Sequence, residues 1–181
     1  MDYLDDIIAK TANRPSPSLA ASQALRGNPL DVFERVSIAD HLDYERVNAN
    51  EIHIALAGLW CEHDVSLVWN NQQEQIELFL PFDSRAPGGR TDDICRLLTL
   101  LNERLTTGHF DFWNTHNSLV YRNSLNLAGG AKLMIEQAMA LLAGAMEAAE
   151  RGYPACQYVV WAGKTPEDAL DTALLDLAAH G

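Results

Sequence analysis

The sequence predicts an α+β fold in which a twisted, mostly antiparallel sheet packs against helices. The first observation is a pair of segments within residues 64–82 that alternate apolar and polar side chains, as strands with one buried face do. Asn70 and Asn71 lie between these segments, and Asn tolerates the left-handed backbone that a hairpin turn needs. The second observation is a set of later segments with helical spacing, which would cover the apolar face of the sheet.

Composition narrows the classes of function. The chain has 181 residues, of which 48% are hydrophobic, and 25 acidic residues against 13 basic ones give a net charge of −12. Such an acidic surface repels phosphate backbones and anionic lipid, so we expect neither a nucleic-acid nor a membrane partner. The three cysteines are odd in number and widely spaced, which fits neither a disulfide framework nor a metal site. The acidic start also differs from a secretory signal, so we expect a cytoplasmic protein.

The first 27 residues are predicted to be a mobile arm, followed by one domain over residues 28–181. Residues 2–12 have the pattern of a short amphipathic helix with Leu4, Ile7 and Ile8 on one side, and Pro15 and Pro17 end it. Two interpretations of the arm remain open. It is a disordered tail, or it docks through Ile7 and Ile8 on a neighbouring subunit or partner.

The domain is predicted to open with a helix whose N-cap is Asn28 and whose first residue is Pro29. This helix ends before Asp43, and strands follow at 44–47 and 51–56. After a turn at Gly58, a strand that begins near Trp60 leads into the hairpin. The predicted inward side chains of the helix and of the strands through the hairpin are Leu30, Phe33, Val36, Ile38, Ile52, Ile54, Leu56, Val65, Leu67, Trp69, Ile76, Leu78, Leu80 and Phe82.

A loop is predicted over residues 83–90, and Thr91 then has the sequence context of an N-cap. The helix that it starts is expected to end at Gly108, with His109 capping its carboxyl end. A second hairpin follows, with strands at 110–113 and 119–127. The inward residues of the helix are predicted to be Ile94, Leu97, Leu98, Leu101 and Leu105.

The longest helix is predicted over residues 132–151, with an interruption at Gly152 and Pro154. Thr165 and Pro166 then have the pattern that starts a last helix, whose inward residues are predicted to be Leu170, Leu174 and Leu177. The predicted core face of the long helix consists of Leu133, Met134, Ile135, Leu141, Leu142 and Met146. Small residues four apart leave another side smooth enough for a second helix to approach closely, and they are the candidate dimer face: Ala140, Gly144 and Ala148.

No catalytic, cofactor or metal site is predicted. Cys61 and His63 would point to one face of a strand, but a zinc site needs about four ligands and no second pair has suitable spacing. His109 and Asp111 lack a nucleophile that would complete a triad. A pocket between the sheet and the long helix is the remaining candidate, with walls formed by Trp69, Phe112, Trp113 and Tyr121.

From residue 28 onwards the chain resembles the YbjN family of bacterial sensory transduction regulators. The segments that carry the resemblance are Asn28-Pro29-Leu30-Asp31, Trp60-Cys61, Leu101-Asn102-Glu103-Arg104-Leu105, Gly108-His109-Phe110-Asp111-Phe112-Trp113, Tyr153-Pro154-Ala155-Cys156-Gln157-Tyr158 and Trp161-Ala162-Gly163-Lys164-Thr165-Pro166-Glu167-Asp168-Ala169. The resemblance implies the two-layer sandwich of the type III secretion chaperones, usually dimeric, and implies no ligand, cofactor or reaction.

Two hypotheses of function follow. The first is a non-enzymatic regulator or chaperone-like module that binds another protein and forms a homodimer. The second is a small-ligand sensor that uses the aromatic pocket. Hydrolase chemistry at His63 or His109 is disfavoured, because the residues around them do not complete a catalytic set.

Overall fold

A computed structural model of the protein describes residues 27–85 and 90–180. The helix predicted over 2–12, the arm up to residue 26 and residues 86–89 of the predicted loop lie outside the described residues. The helices are α1 (Leu30–Ala39), α2 (Thr91–Asn102), α3 (Ile135–Val160) and α4 (Pro166–His180). The strands are β1 (Tyr44–Asn48), β2 (Glu51–Ala57), β3 (Glu62–Asn70), β4 (Gln75–Arg85), β5 (His109–Trp113) and β6 (Ser118–Asn126).

The six strands form an antiparallel sheet in the order β1-β2-β3-β4-β6-β5. The α+β class predicted from the sequence is therefore confirmed. The chain divides into two compact units, whose parts alternate along the sequence. The first contains the described part of Met1–Leu56, with Asp64–Leu78 and Ser124–Leu142. The second contains Ala57–His63 and the described parts of Phe79–Asn123 and Ala143–Gly181.

In the first unit, α1 begins one residue later than predicted. The helix starts at Leu30, so Pro29 rather than Asn28 takes the N-cap position. The Asn28 side chain still accepts a hydrogen bond from the Leu30 amide at 3.0 Å, which satisfies one of the free amides of the first turn. Ile38 was predicted to face the core but is 60% exposed, because Phe33, Val36 and the neighbouring Ser37 form the buried side of this helix.

The hairpin of β3 and β4 has the predicted position, but its turn and its burial differ from expectation. The positive backbone angle lies at Glu74, with φ 47°, and not at Asn70 or Asn71. Asn70 instead accepts hydrogen bonds through Oδ1 from the amides of Gln72 and Gln73, both at 3.2 Å. Four consecutive residues of β3 are buried, so this strand has two covered faces rather than one: Val65, Ser66, Leu67 and Val68.

In the second unit, α2 is shorter than predicted and lacks the predicted cap. Thr91 is its first helical residue, Arg90 is the N-cap, and no side chain caps the helix there. The helix ends at Asn102 and not near Gly108. The reason is that the Asn102 side chain forms two hydrogen bonds with the main chain of Phe110. Its Oδ1 accepts one from the Phe110 N–H at 2.7 Å, and its Nδ2 donates one to the Phe110 oxygen at 3.0 Å, so the connection to β5 is held in place.

The second predicted hairpin is confirmed as β5 and β6, with Phe110 paired to Tyr121 and Phe112 paired to Leu119. His109 is the first residue of β5, opposite Arg122, so the predicted helix-capping role is wrong. The left-handed residue at its turn is Asn117, with φ 52°. Asn favours this backbone conformation more than most other residues do.

The long helix α3 differs from prediction at both ends. It begins at Ile135 rather than Lys132, and it continues through Gly152 and Pro154 to Val160. Proline inside a helix normally leaves the carbonyl four residues earlier without its donor. Here that carbonyl is on Glu150, and it accepts a hydrogen bond from Nε1 of Trp60 at 3.1 Å. This replacement donor explains why the helix does not end at the proline.

The last helix starts as predicted. The Thr165 hydroxyl accepts a hydrogen bond from the Asp168 amide at 3.2 Å and donates one to the Asp168 carboxylate at 2.8 Å. Pro166 is the first helical residue. Of the predicted inward residues, Leu170 is buried, whereas Leu174 and Leu177 are only half-buried.

Candidate functional site

Cys61 and His63, the side chains whose sequence pattern most suggests reactivity, pack together as part of the structure. The Cys61 Sγ lies 3.7 Å from Nε2 of His63, just before β3. Burial, and then the nearby Glu150 carboxylate, raise the pKa of the Cys61 thiol, while a hydrogen bond with Tyr153 opposes the rise. The neutral thiol is a poor nucleophile and a poor metal ligand. The described residues contain no group of three or more His, Cys, Asp or Glu side chains that could hold a metal.

Glu150 of α3 holds the loop that carries Cys61 at two points. Glu150 accepts a hydrogen bond from the Leu59 amide at its Oε1 atom, 2.6 Å away, and one from Trp60 at its main-chain oxygen. A Cβ at Gly58 would lie 2.6 Å from the same carboxylate oxygen, so only glycine fits this turn. The His63 ring is buried and packs against the rings of Tyr153 and Phe82, with centroids 5.6 and 6.0 Å away. The residues of the Trp60-Cys61 and Tyr153-Pro154 motifs therefore have a structural role, which is to pack the loop against α3.

Two of the aromatic residues predicted to form one pocket lie on opposite faces of the β5–β6 hairpin. Tyr121 is paired with Phe110, while Trp113 is an odd number of residues away from Phe110 and therefore points to the other side. Tyr121 is fully buried and donates a hydrogen bond to the Thr107 carbonyl at 3.1 Å. Trp113 donates to the Asp111 carboxylate at 3.1 Å. Phe112 is half-buried on the Tyr121 face.

The fourth predicted pocket residue, Trp69, lines a cavity of the first unit. This cavity measures about 50 Å³, which is below the 300 Å³ or so of the smallest typical ligand pockets. Its walls come from the start of the described chain, from β3 and its turn, and from the segment before α3. They are Gly27, Pro29, Trp69, Glu74, Leu127, Ala131, Lys132 and Leu133.

The candidate dimer residues lie on α3 but differ in exposure. Ala140 is exposed, Gly144 is half-buried and Ala148 is buried. Gly144 and Ala148 also line a shallow cavity of the second unit, together with Arg104 and Arg151. A Cβ built at Gly144 meets no atom within 4 Å, so an alanine fits at this position.

An exposed apolar surface at the start of α3 was missed by the sequence analysis. Met134, Ile135 and Met139 are 58%, 48% and 47% exposed, and we call these three residues the α3 apolar surface. The sequence analysis placed Met134 and Ile135 on the core face of the helix, whereas the buried side chains at this end of α3 are Leu133 and Ala138. Apolar residues at adjacent positions leave open which of them faces the core. The exposed Lys132 and the Gly129-Gly130 pair that precede the helix are the sequence signals of a surface position.

No helix among the described residues has both the length and the apolar character that crossing a membrane requires. No curated protein matches the chain. Solved structures that are similar to it include the ExsC–ExsE complex and YbjN from E. coli. The ExsC–ExsE complex aligns with 18% identity and a TM-score of 0.48, covering 66% of this chain and 86% of the other. YbjN from E. coli aligns with 13% identity and a TM-score of 0.46, covering 83% and 92%. Both TM-scores are below 0.5, so these similarities do not indicate a function.

Residues 29–158 match the profile of the YbjN family, whose description is "Putative bacterial sensory transduction regulator". The matched segment is well over half of the 181 residues. It contains the Trp60-Cys61 loop, the Asn102 contact with Phe110 and most of α3. The chain belongs to the YbjN family.

Proposed function

We propose that this protein is a cytoplasmic regulatory module that acts by binding another protein, as a chaperone does, rather than by catalysing a reaction. The observation that carries the proposal is the α3 apolar surface. Ile135 and Met139 lie four residues apart at the start of α3, and Met134 directly precedes the helix. All three side chains are apolar and about half exposed, and a cluster of exposed apolar side chains is typical of interaction sites. The three unpaired cysteines are compatible with the reducing cytoplasm.

The side chains of this surface suit a peptide or helix with apolar residues. Methionine is unbranched and polarizable, so a surface rich in methionine adapts its shape to different partners. Met139 follows Ile135 by four residues, and such spacing gives a continuous stripe on one side of the helix. An amphipathic helix of a partner can lay its apolar face on such a stripe. The Trp69 cavity is too small to favour the small-ligand alternative over this proposal.

The experiment compares protein capture by the tagged wild-type protein and by two charged variants. Ile135→Glu/Met139→Glu places charge on the α3 apolar surface, and Leu175→Glu places charge on α4, where Leu175 is 72% exposed. We expect a stoichiometric partner to be retained by the wild type and by Leu175→Glu, and to be lost by the double variant. A partner that all three proteins retain equally would contradict the proposal.

We also propose that the protein forms a homodimer through Ala140 and Gly144, the two residues of the predicted dimer face that are not buried in the monomer; Ala148, the third, is buried. The support is the small size of these residues on one side of α3, which permits close approach of a second helix. Gly144→Trp adds a bulky side chain to the proposed contact, and Gly144→Ala is the matched control because a Cβ at Gly144 meets no atom within 4 Å. Light scattering should show a dimer for the wild type and for Gly144→Ala, and a monomer for Gly144→Trp. A dimer in all three would show that this face is not the interface.

A further inference from the structure

The described chain begins beside the α3 apolar surface. Gly27 and Pro29 line the same small cavity as Ala131, Lys132 and Leu133. Met134 directly follows Leu133, and Met139 lies four residues beyond Ile135, the first residue of α3. At 1.5 Å of helical rise per residue, Met139 is about 6 Å along the helix from Ile135. Gly27, the first described residue, therefore lies near the surface that we propose for partner binding.

The length of the preceding chain is sufficient for its amphipathic segment to reach this surface. Fourteen residues, 13–26, separate the segment 2–12 from Gly27. A chain of that length has an average span of about 20 Å even without being extended. This span exceeds the distance along the helix that the surface occupies, so docking within one chain requires no rearrangement of the described residues.

The side chains of residues 2–12 complement those of the α3 apolar surface. Residues 2–12 carry Leu4, Ile7 and Ile8 at spacings of three and four, which place them on one face if the segment is helical. That face matches the apolar stripe on α3. The segment also carries Asp5 and Asp6, and the exposed Lys132 lies at the near end of the surface. The exposed Glu136 opposes these acids, so apolar contact provides the main attraction.

We propose that residues 2–12 of this chain dock as a helix on the α3 apolar surface of the same molecule and cover it until a partner displaces them. The inference rests on the proposed function, because it assigns an internal competitor to the same surface. An intramolecular segment has a high effective concentration, so even weak docking occupies the surface in the absence of a partner. The arm would thus set the threshold for partner binding.

The test uses the four methionines of the full chain as probes, labelled with ¹³C at the methyl group. Ile7→Asp/Ile8→Asp places charge on the docking face of the segment. Ala9→Asp/Asn13→Asp adds the same charge at Ala9 on the opposite face and at the residue directly after the segment, and it serves as the control. We expect the first variant to shift the Met134 and Met139 methyl signals and to leave that of Met146, in the second unit, unchanged. The control should give wild-type signals. Equal Met134 and Met139 signals in all three proteins would overturn the proposal.

Two further measurements distinguish docking within one molecule from contact between two copies, and separate the docking proposal from the proposed function. Signals that stay the same across a tenfold change of protein concentration support docking within one molecule, whereas concentration-dependent signals would assign the contact to a second copy and overturn the proposal. The capture experiment with Ile135→Glu/Met139→Glu is independent of the arm. Loss of a partner in that experiment without any methyl shift in the Ile7→Asp/Ile8→Asp variant would reject only the docking of residues 2–12. A methyl shift without a surface-dependent partner would reject only the proposed function.

Discussion

The indole Nε1 of Trp60 donates a hydrogen bond to the main-chain oxygen of Glu150, 3.1 Å away. This oxygen is the one that Pro154 leaves without a donor inside α3. A proline in a helix interior ordinarily costs about 3 kcal/mol, in part through that missing bond. The two features of the sequence, Trp60 and Pro154, therefore compensate for each other across about ninety residues of the chain.

We expect Trp60→Phe to lower the free energy of unfolding by about 1–2 kcal/mol, because it leaves the Glu150 carbonyl without this donor. The measurement is urea unfolding followed by circular dichroism. Trp161→Phe is the matched control, since Trp161 is 72% exposed and its replacement should change stability by less than about 0.5 kcal/mol.

Pro154→Ala tests whether Trp60 replaces the main-chain donor that Pro154 lacks. The alanine would supply a main-chain N–H to the Glu150 carbonyl, so Trp60→Phe should cost less in this background than in the wild type. A cycle of the two single variants and the double variant measures the difference, and we expect a coupling of at least about 0.5 kcal/mol. Strictly additive effects would mean that Trp60 does not substitute for the missing amide.

The two glycines of α3 should respond oppositely to alanine. A Cβ at Gly152 would lie 2.6 Å from Cζ of Phe110 and 3.1 Å from a ring carbon of Phe82, so Gly152→Ala should destabilise the fold by about 1–3 kcal/mol. Gly144 has open space, and Gly144→Ala should stabilise the helix by about 0.5–1 kcal/mol. Thermal unfolding of both variants checks the pair, and a lower melting temperature for Gly144→Ala would contradict the prediction.

The sequence predicted the regular parts of this fold and failed where distant residues decide the outcome. Both hairpins and the start of α4 follow from local alternation and capping, which act within a few residues. The continuation of α3 through Pro154 depends on Trp60, and no local pattern contains that contact. The early end of α2 likewise depends on the bond between Asn102 and Phe110.

The candidate site was less predictable than the fold. Helical spacing placed Met134 and Ile135 inward, yet both are exposed because the side chains that face the core at this end of α3 are Leu133 and Ala138. Trp113 and Tyr121 were assigned to one pocket, although strand register puts them on opposite faces of one hairpin. Register depends on pairing between strands, and a one-residue shift reverses every side chain.

Asn102 offers a direct test of how α2 ends. Its side chain donates to the Phe110 carbonyl and accepts from the Phe110 amide, so Asn102→Ala should cost about 1–3 kcal/mol. Asn102→Asp keeps the acceptor but loses the donor, and it should fall between Ala and the wild type. The control is Asn114→Ala in the exposed β5–β6 turn, with little effect expected. Urea unfolding gives the order, and equal stability of Asn102→Ala and the wild type would refute it.

Stability should decline in alkaline solution because several acidic groups are held neutral in the folded protein. Burial raises the pKa of the Cys61 and Cys156 thiols and of the Tyr121 hydroxyl, and the hydrogen bond with Asp176 raises the pKa of Tyr158. Above the ordinary thiol pKa of 9.0, the unfolded chain releases protons that the folded chain retains, so the free energy of unfolding falls as the pH rises.

Urea midpoints measured between pH 7 and 10.5 test this expectation. They should be level up to about pH 8 and then decrease. Tyr158→Phe removes one of the raised groups, so its decrease near pH 10 should be shallower than that of the wild type, whatever its stability at pH 7. A wild-type midpoint that stays constant to pH 10.5 would show that the unfolded chain holds its protons as tightly as the folded one. The buried thiols and the Tyr158–Asp176 bond would then not contribute to the pH dependence of stability.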